Sequence, residues 1–173
     1  MSLGEFMDMP DDNLLPRKCN IVFVCVGNIN RSPACETILK YFIIGSDLEW
    51  SVTSAAISDK NKGKLSSKKM RDTLDKFGYP YKEIRSKPLT QEMVNAADVI
   101  YIMDNANKKK MIENFGEKIL SKLRFVGEID SSISGIYVSD PHFSKGVEEH
   151  EKVVYQIEQR LDKLVTVHKK LYS

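Results

Sequence analysis

The sequence predicts an α/β fold: a doubly wound, four-stranded parallel sheet with helices on both faces. Three observations carry this expectation. Short β-branched runs alternate with stretches of helical apolar period along most of the chain. One run, at 98–103, is apolar from Val99 to Met103, as strands buried on both faces of a parallel sheet are. The final segment sets Val147, Val153, Val154, Ile157, Leu161, Leu164 and Val165 at helical spacing, a stripe suited to covering a sheet rather than a partner.

Each element follows from local signals. Ile21 to Val24 is the first strand, and Ala34, Ile38, Leu39 and Phe42 share one face of the helix after it, which Gly45 closes. A second strand is expected at 50–57 and a second helix at 66–77, ended by Gly78 and Pro80. A third strand is expected near Ile84, then a short helix at 91–96. The buried-type strand at 98–103 leads into a helix at 105–115, and 123–125 forms a short last strand. Residues 127–139, rich in Ser and Gly, are expected to loop over the surface before the closing helix.

Length and composition set ordinary bounds. A chain of 173 residues suits one domain with a real core, expected over 18–173. Residues 1–17 begin acidic, lack an apolar stretch of signal-peptide length, and are expected to form a disordered tail. A net charge of +2 excludes neither acidic nor basic partners. Lysines at 60, 62, 64, 68 and 69, and at 108, 109 and 110, have no interleaved aromatic residues, so they are expected to be solvated faces rather than a nucleic-acid surface. Three cysteines without paired spacing argue for a reducing, cytoplasmic compartment and against a disulfide framework or zinc site. No stretch is long enough to span a bilayer, and the histidines at 142, 150 and 168 lack metal-ligand spacing.

The most informative segment is Cys25-Val26-Gly27-Asn28-Ile29-Asn30-Arg31-Ser32-Pro33, directly after the first strand. A cysteine and an arginine at this separation on a loop can close around one tetrahedral oxyanion, sulfur toward phosphorus and guanidinium forked across two oxygens. The amides of Val26, Gly27, Asn28, Ile29, Asn30, Arg31 and Ser32 can point inward as a nest. Gly27 and Asn28 are residues that accept positive φ. Ser32-Pro33 has the form of a helix N-cap and first helical residue, and that terminus favours a bound anion and a thiolate at Cys25. The pattern alone is loose. Its plainer alternative is a buried cysteine ending a core strand beside an arginine on a helix surface; the strand, loop and helix start around it favour the phosphate loop.

Ligands of doubly wound sheets bind at the carboxyl ends of the strands, where Cys25 and Asp104 both fall. Asp104 can hold the phosphate loop or cap the next helix, and the two roles are compatible. Phosphoryl transfer to a cysteine also requires an acid for the leaving oxygen. Asp140-Pro141-His142-Phe143 lies between the long loop and the last helix, where Asp140 can overhang the crevice; taken alone, Asp-Pro is just a turn.

With the whole string Val-Phe-Val-Cys-Val-Gly-Asn-Ile-Asn-Arg-Ser-Pro, the segment resembles the phosphate-binding loop of the low-molecular-weight protein tyrosine phosphatases. Ser54-Ala55-Ala56, Met103-Asp104-x-x-Asn107 and the Asp-Pro motif before the C-terminal helix extend the resemblance over roughly 19–168. It implies a hydrolase of phosphate monoesters, most of all phosphotyrosine on proteins or small aryl phosphates, that releases inorganic phosphate and needs no cofactor or metal. Cys25 is then the nucleophile, Arg31 and the loop amides the phosphate holders, Asp140 the acid and base, and Asp104 a support. Ser32 bonds the thiolate, and Asn28 fixes the loop.

Departures from the family pattern bear on substrate and regulation. Asn30 stands where many members carry a second cysteine, so the vicinal redox pair is absent. Cys19 and Cys35 are expected to be buried packing residues. Lys60 takes a usually aromatic wall position, His142 and Phe143 replace a tyrosine pair, and Glu83 takes the place of a histidine that often supports the loop. Two other readings stand beside this one: a phosphate-binding interaction protein with weak catalysis, suggested by the altered wall and Glu83, and arsenate reduction on the same fold, for which no cysteine after Cys35 is available as a relay.

Overall fold

The computed structural model describes residue 9 and residues 13–130, 132, 133, 135, 137–142 and 145–173. Four parallel strands, β1 (Lys18–Cys25), β2 (Glu49–Ala56), β3 (Val99–Ile102) and β4 (Leu123–Phe125), lie in the order β2-β1-β3-β4. The helices are α1 (Arg31–Phe42), α2 (Lys68–Lys76), α3 (Gln91–Ala96), α4 (Asn105–Phe115) and α5 (Glu148–Leu171). Short 3-10 helices at Glu117–Ser121 and Val126–Ile129 flank β4.

Strand alternation sorts the core into two layers. Cys19, Ile21 and Phe23 of β1 and Tyr101 of β3 point to one face, where α1 brings Ile38 and Leu39 and α5 brings Ile157 and Leu161. Val22, Val24, Ile100 and Ile102 point to the other, covered by Val94 of α3 and Met111 of α4. The doubly wound sheet with helices on both faces is therefore the one expected. Because the chain leaves β1 for β2 on one side and returns to β3 on the other, a crevice opens at the carboxyl ends of β1 and β3. Cys25 ends one strand, and Asp104 follows the other.

Three expectations require correction. The strand near Ile84 does not form. Tyr81 Oη donates to the Ile84 carbonyl at 2.8 Å and accepts from the Ile84 amide at 3.3 Å, so the chain curls there. Its sheet-like pairing among the described residues amounts to isolated bridges, Leu65 with Arg85 and Ala56 with Pro88. The α1 start also differs: the helix begins at Arg31, with Asn30 as N-cap and no side-chain cap bond. Ser32 does not cap because its hydroxyl is drawn into the loop, and Pro33, in the first turn, needs no amide partner.

The third correction concerns the N-terminal tail. Met9, Asn13 and Leu15 are buried, so packed residues precede the boundary expected after residue 17. Trp50 Nε1 donates to the Pro16 carbonyl at 3.0 Å, and the Glu49 amide donates to the Arg17 carbonyl at 2.9 Å. His168 of α5 holds the segment as well. Its Nδ1–H donates to Leu164 O at 2.6 Å, which leaves Nε2 to accept from the Leu15 amide at 2.8 Å. Burial pushes the His168 pKa down, against the pull of the Leu164 carbonyl, which favours this neutral tautomer. Residues 1–8 and 10–12 of the expected tail lie outside the described residues.

Candidate active site

The loop after β1 wraps a cavity of about 130 Å³ lined by Cys25, Val26, Gly27, Ile29, Asn30, Arg31, Asn61, Asp140 and His142. Cys25 lies deep in it, 3% exposed. Its Sγ is 3.1 Å from Ser32 Oγ. Asn28 Nδ2 donates to that same Ser32 oxygen at 2.8 Å, and an amide nitrogen can only donate. The Ser32 hydroxyl proton is thereby left to point at the sulfur.

Asn28 is the hub of this arrangement. Its φ of 53° makes it the one non-glycine residue with positive φ among those described. Strain of this kind persists only where surrounding bonds hold it. They do: Nδ2 also reaches Ser54 Oγ at 3.0 Å, and Oδ1 accepts from the Lys87 amide at 3.1 Å. Ser54 in turn donates to Glu36 Oε1 at 2.7 Å, and Lys40 Nζ donates to Glu36 Oε2 at 2.6 Å. A chain of bonds thus runs from α1 through β2 to the nucleophile side of the loop. Asn28 and Ser32 do not line the cavity but support it from behind.

Gly27 acts differently from expectation. It is not among the glycines with positive φ; what it supplies is room, since a Cβ there would stand 2.8 Å from Asn61 Nδ2. Its carbonyl accepts from Ser86 Oγ at 2.8 Å, a second tie to the segment after Ile84. Asn30 Oδ1 accepts from Ser67 Oγ at 2.7 Å, and Ser67 N-caps α2, so the far end of the loop is fastened too.

Arg31 is 3% exposed at the start of α1. Nη1 donates to Asp104 Oδ2 at 2.6 Å and to the Val138 carbonyl at 3.1 Å, and Nη2 lies 3.6 Å from Asp140 Oδ2. Burial works against its charge, but Cys25, Asp104 and Asp140 outweigh that and raise its pKa. Asp104 performs both expected roles at once, because its Oδ1 accepts from the Asn107 amide at 2.8 Å and caps α4. Asp140 also combines two readings: it makes a turn by accepting from the His142 amide at 3.0 Å, and it faces Arg31. Its side chain is 45% exposed, open to solvent above the cavity.

The wall residues are not all those expected. Lys60 is exposed and does not line the cavity; its neighbour Asn61 does, with Oδ1 accepting from Lys64 Nζ at 3.4 Å. Asn61 was missed because one residue of register on a tight turn decides which side chain faces inward. His142 lines the cavity, and Phe143 lies outside the described residues. Glu83 pairs with Arg85 at the surface and does not touch the loop. Cys19 and Cys35 are both buried; burial pushes the Cys19 thiol up to about 12 and, with the Cys25 charge, holds Cys35 well above its usual range. Among the described residues no cluster of His, Cys, Asp or Glu could hold a metal ion, and no helix is long and apolar enough to cross a membrane.

Fold and loop together define the class: a parallel α/β domain whose first strand delivers a cysteine into an anion-shaped loop closed by an arginine. The family model for low molecular weight phosphotyrosine protein phosphatases matches residues 20–172. This chain belongs to that family, whose members are phosphatases and therefore hydrolases. It is 29% identical over 142 residues to a probable low molecular weight protein-tyrosine-phosphatase of Ralstonia nicotianae, covering 82% of this chain and 90% of that one. A crystal structure of a protein tyrosine phosphatase from Entamoeba histolytica, with Hepes in the active site, superimposes with a TM-score of 0.80 at 25% identity, covering 90% of this chain and all of that one. An arginine phosphatase from Geobacillus stearothermophilus shares the fold, with a TM-score of 0.76 at 23% identity over 88% of this chain and 94% of that one.

Proposed function

We propose that this phosphatase hydrolyses phosphotyrosine on proteins by a two-step displacement through Cys25. The observation that carries the proposal is convergence: Cys25 Sγ, Arg31 and Asp140 meet around one small cavity. In the first step the Cys25 thiolate attacks phosphorus in line, and the bond to the tyrosyl oxygen breaks as Asp140 gives that oxygen its proton. Arg31 and the loop amides hold the equatorial oxygens while their charge shifts. In the second step water attacks the cysteinyl-phosphate, Asp140 takes the water's proton, and inorganic phosphate leaves with the thiolate restored. The Ser32 hydroxyl, aimed at Sγ, stabilises that departing thiolate.

Depth favours an aryl ester. With Cys25 only 3% exposed, a short seryl phosphate would bring the peptide backbone against the rim before phosphorus reached the sulfur, whereas a phenyl ring spans the gap. Val26 and Ile29 offer that ring apolar contact, and Asn61 and His142 border it with polar groups. Because an arginine phosphatase shares the fold, the test compares carriers. Phosphotyrosyl peptides are expected to exceed phosphoseryl and phosphoarginyl peptides of matched sequence by about tenfold or more in kcat/KM, with Cys25→Ser inactive on all three. A phosphoarginyl peptide turned over faster would reassign the substrate. Activity surviving in Cys25→Ser would remove the mechanism.

A further inference from the structure

Beneath the segment that carries Asp140 lies a buried cation that the two-step chemistry does not use. Arg160, on α5, is 2% exposed. Its Nη2 donates to the Gly135 carbonyl at 2.8 Å, and its Nη1 to the carbonyl of Gln156 at 3.3 Å, one turn earlier in the helix. Burial pushes the Arg160 pKa down, and the charge opposing this is Asp130. Asp130 also accepts from Lys163 Nζ at 3.2 Å. Two cations three residues apart on α5 therefore fasten the start and the middle of the segment from 130 to 140.

The other end of that segment is fastened to the site. The Val138 amide donates to the Met103 carbonyl at 2.9 Å, and the Val138 carbonyl accepts from Arg31 Nη1 at 3.1 Å. Asp140 follows two residues later. Gly135 has a φ of 94°, which glycine adopts without strain and can as readily leave, so the bond from Arg160 helps to set the direction of its carbonyl. Simple packing does not account for a guanidinium here, because an apolar side chain of similar length fills such a place without the desolvation that a charge incurs.

We propose that Arg160 is a positioning residue for the general acid: by holding the Gly135 carbonyl it sets where Asp140 stands over Arg31. The proposal rests on the reading of Asp140 as acid. Its signature is a loss that depends on the leaving group. The parameter kcat/KM reports steps up to cleavage of the ester bond, and only poor leaving groups need a well-placed proton there.

The test measures kcat/KM on aryl phosphates from p-nitrophenyl to phenyl phosphate for wild type, Arg160→Met, Asp140→Asn and the double variant. Arg160→Met is expected to lose about tenfold or more on phenyl phosphate and about threefold or less on p-nitrophenyl phosphate. The double variant should lose no more than Asp140→Asn alone, because an acid already removed cannot be misplaced. Equal losses across the series, or losses that multiply in the double variant, would overturn the proposal. If Arg160→Met does not fold, Arg160→Lys, which keeps the charge and a donor, carries the same comparison: a smaller but graded loss supports positioning, and an ungraded loss overturns it. An ungraded Asp140→Asn would remove the acid reading and this proposal together, whereas a graded Asp140→Asn beside an ungraded Arg160→Met overturns positioning alone.

Discussion

An Arg31→Lys enzyme is expected to lose on the order of a hundredfold or more in kcat/KM toward aryl phosphates while keeping most of its stability. The reason lies in how the guanidinium is divided. Nη1 is occupied by Asp104 at 2.6 Å and the Val138 carbonyl at 3.1 Å, which fixes the plane of the group. The remaining edge can then fork across two phosphoryl oxygens. A lysine ammonium is a single point with rotating donors, so it can answer Asp104 or the phosphoryl group but not both in one geometry. It still carries a positive charge beside Asp104 and Asp140, so neither carboxylate is left unpaired, and the melting midpoint should move by only about 2–4 °C per kcal/mol lost. Steady-state kinetics with p-nitrophenyl phosphate, together with thermal melts, check both halves. Near-normal activity would mean that another group holds the phosphoryl oxygens; a collapse in melting temperature would make Arg31 a structural residue first.

The second large effect is expected at Asp140. Asparagine keeps the shape and can still accept from the His142 amide, so the turn should survive the change. What it lacks is a transferable proton. Phenyl phosphate should therefore lose on the order of a hundredfold in kcat/KM, while p-nitrophenyl phosphate, whose leaving oxygen departs as a stable anion, should lose far less. At 3.6 Å from Arg31 Nη2 the Asp140 carboxylate makes a charge contact but no hydrogen bond, so the variant gives up that contact and no bond. A uniform loss over the leaving-group series would exclude Asp140 as the acid.

Much of this site was legible because its chemistry is local in sequence. Cys25 and Arg31 lie on one loop between a β-branched run and a helix, and Asp104 directly follows an apolar strand, so each falls at a strand end without knowledge of distant contacts. Asp140 was legible through its motif. The features that escaped depend on partners far along the chain. Leu15 is one apolar residue in an acidic, uneven stretch, and nothing near it announces that His168, 153 positions away, will accept its amide bond. Ile84 has strand character, but the Tyr81 hydroxyl bonds both its backbone groups and leaves no ladder to join. Lys60 occupies the wall position by resemblance, yet Asn61 faces the cavity because the tight turn sets the direction of each side chain. The expected helix start, Ser32 as cap and Pro33 as first helical residue, lies two residues late because the Ser32 hydroxyl, a good cap by composition, is bonded by Asn28 and Cys25 instead. Propensity describes a residue's alternatives; the tertiary partner decides among them.

The account's central claim is that Cys25 carries the phosphoryl group between the two steps. The most direct measurement is a rapid denaturing quench during turnover of p-nitrophenyl phosphate, followed by proteolysis and mass spectrometry of the three cysteine-containing regions. The account predicts one phosphoryl group on Cys25, none on Cys19 or Cys35, and none anywhere in Cys25→Ser. Turnover with no phosphoryl group on Cys25, or with one carried by another residue, would contradict it.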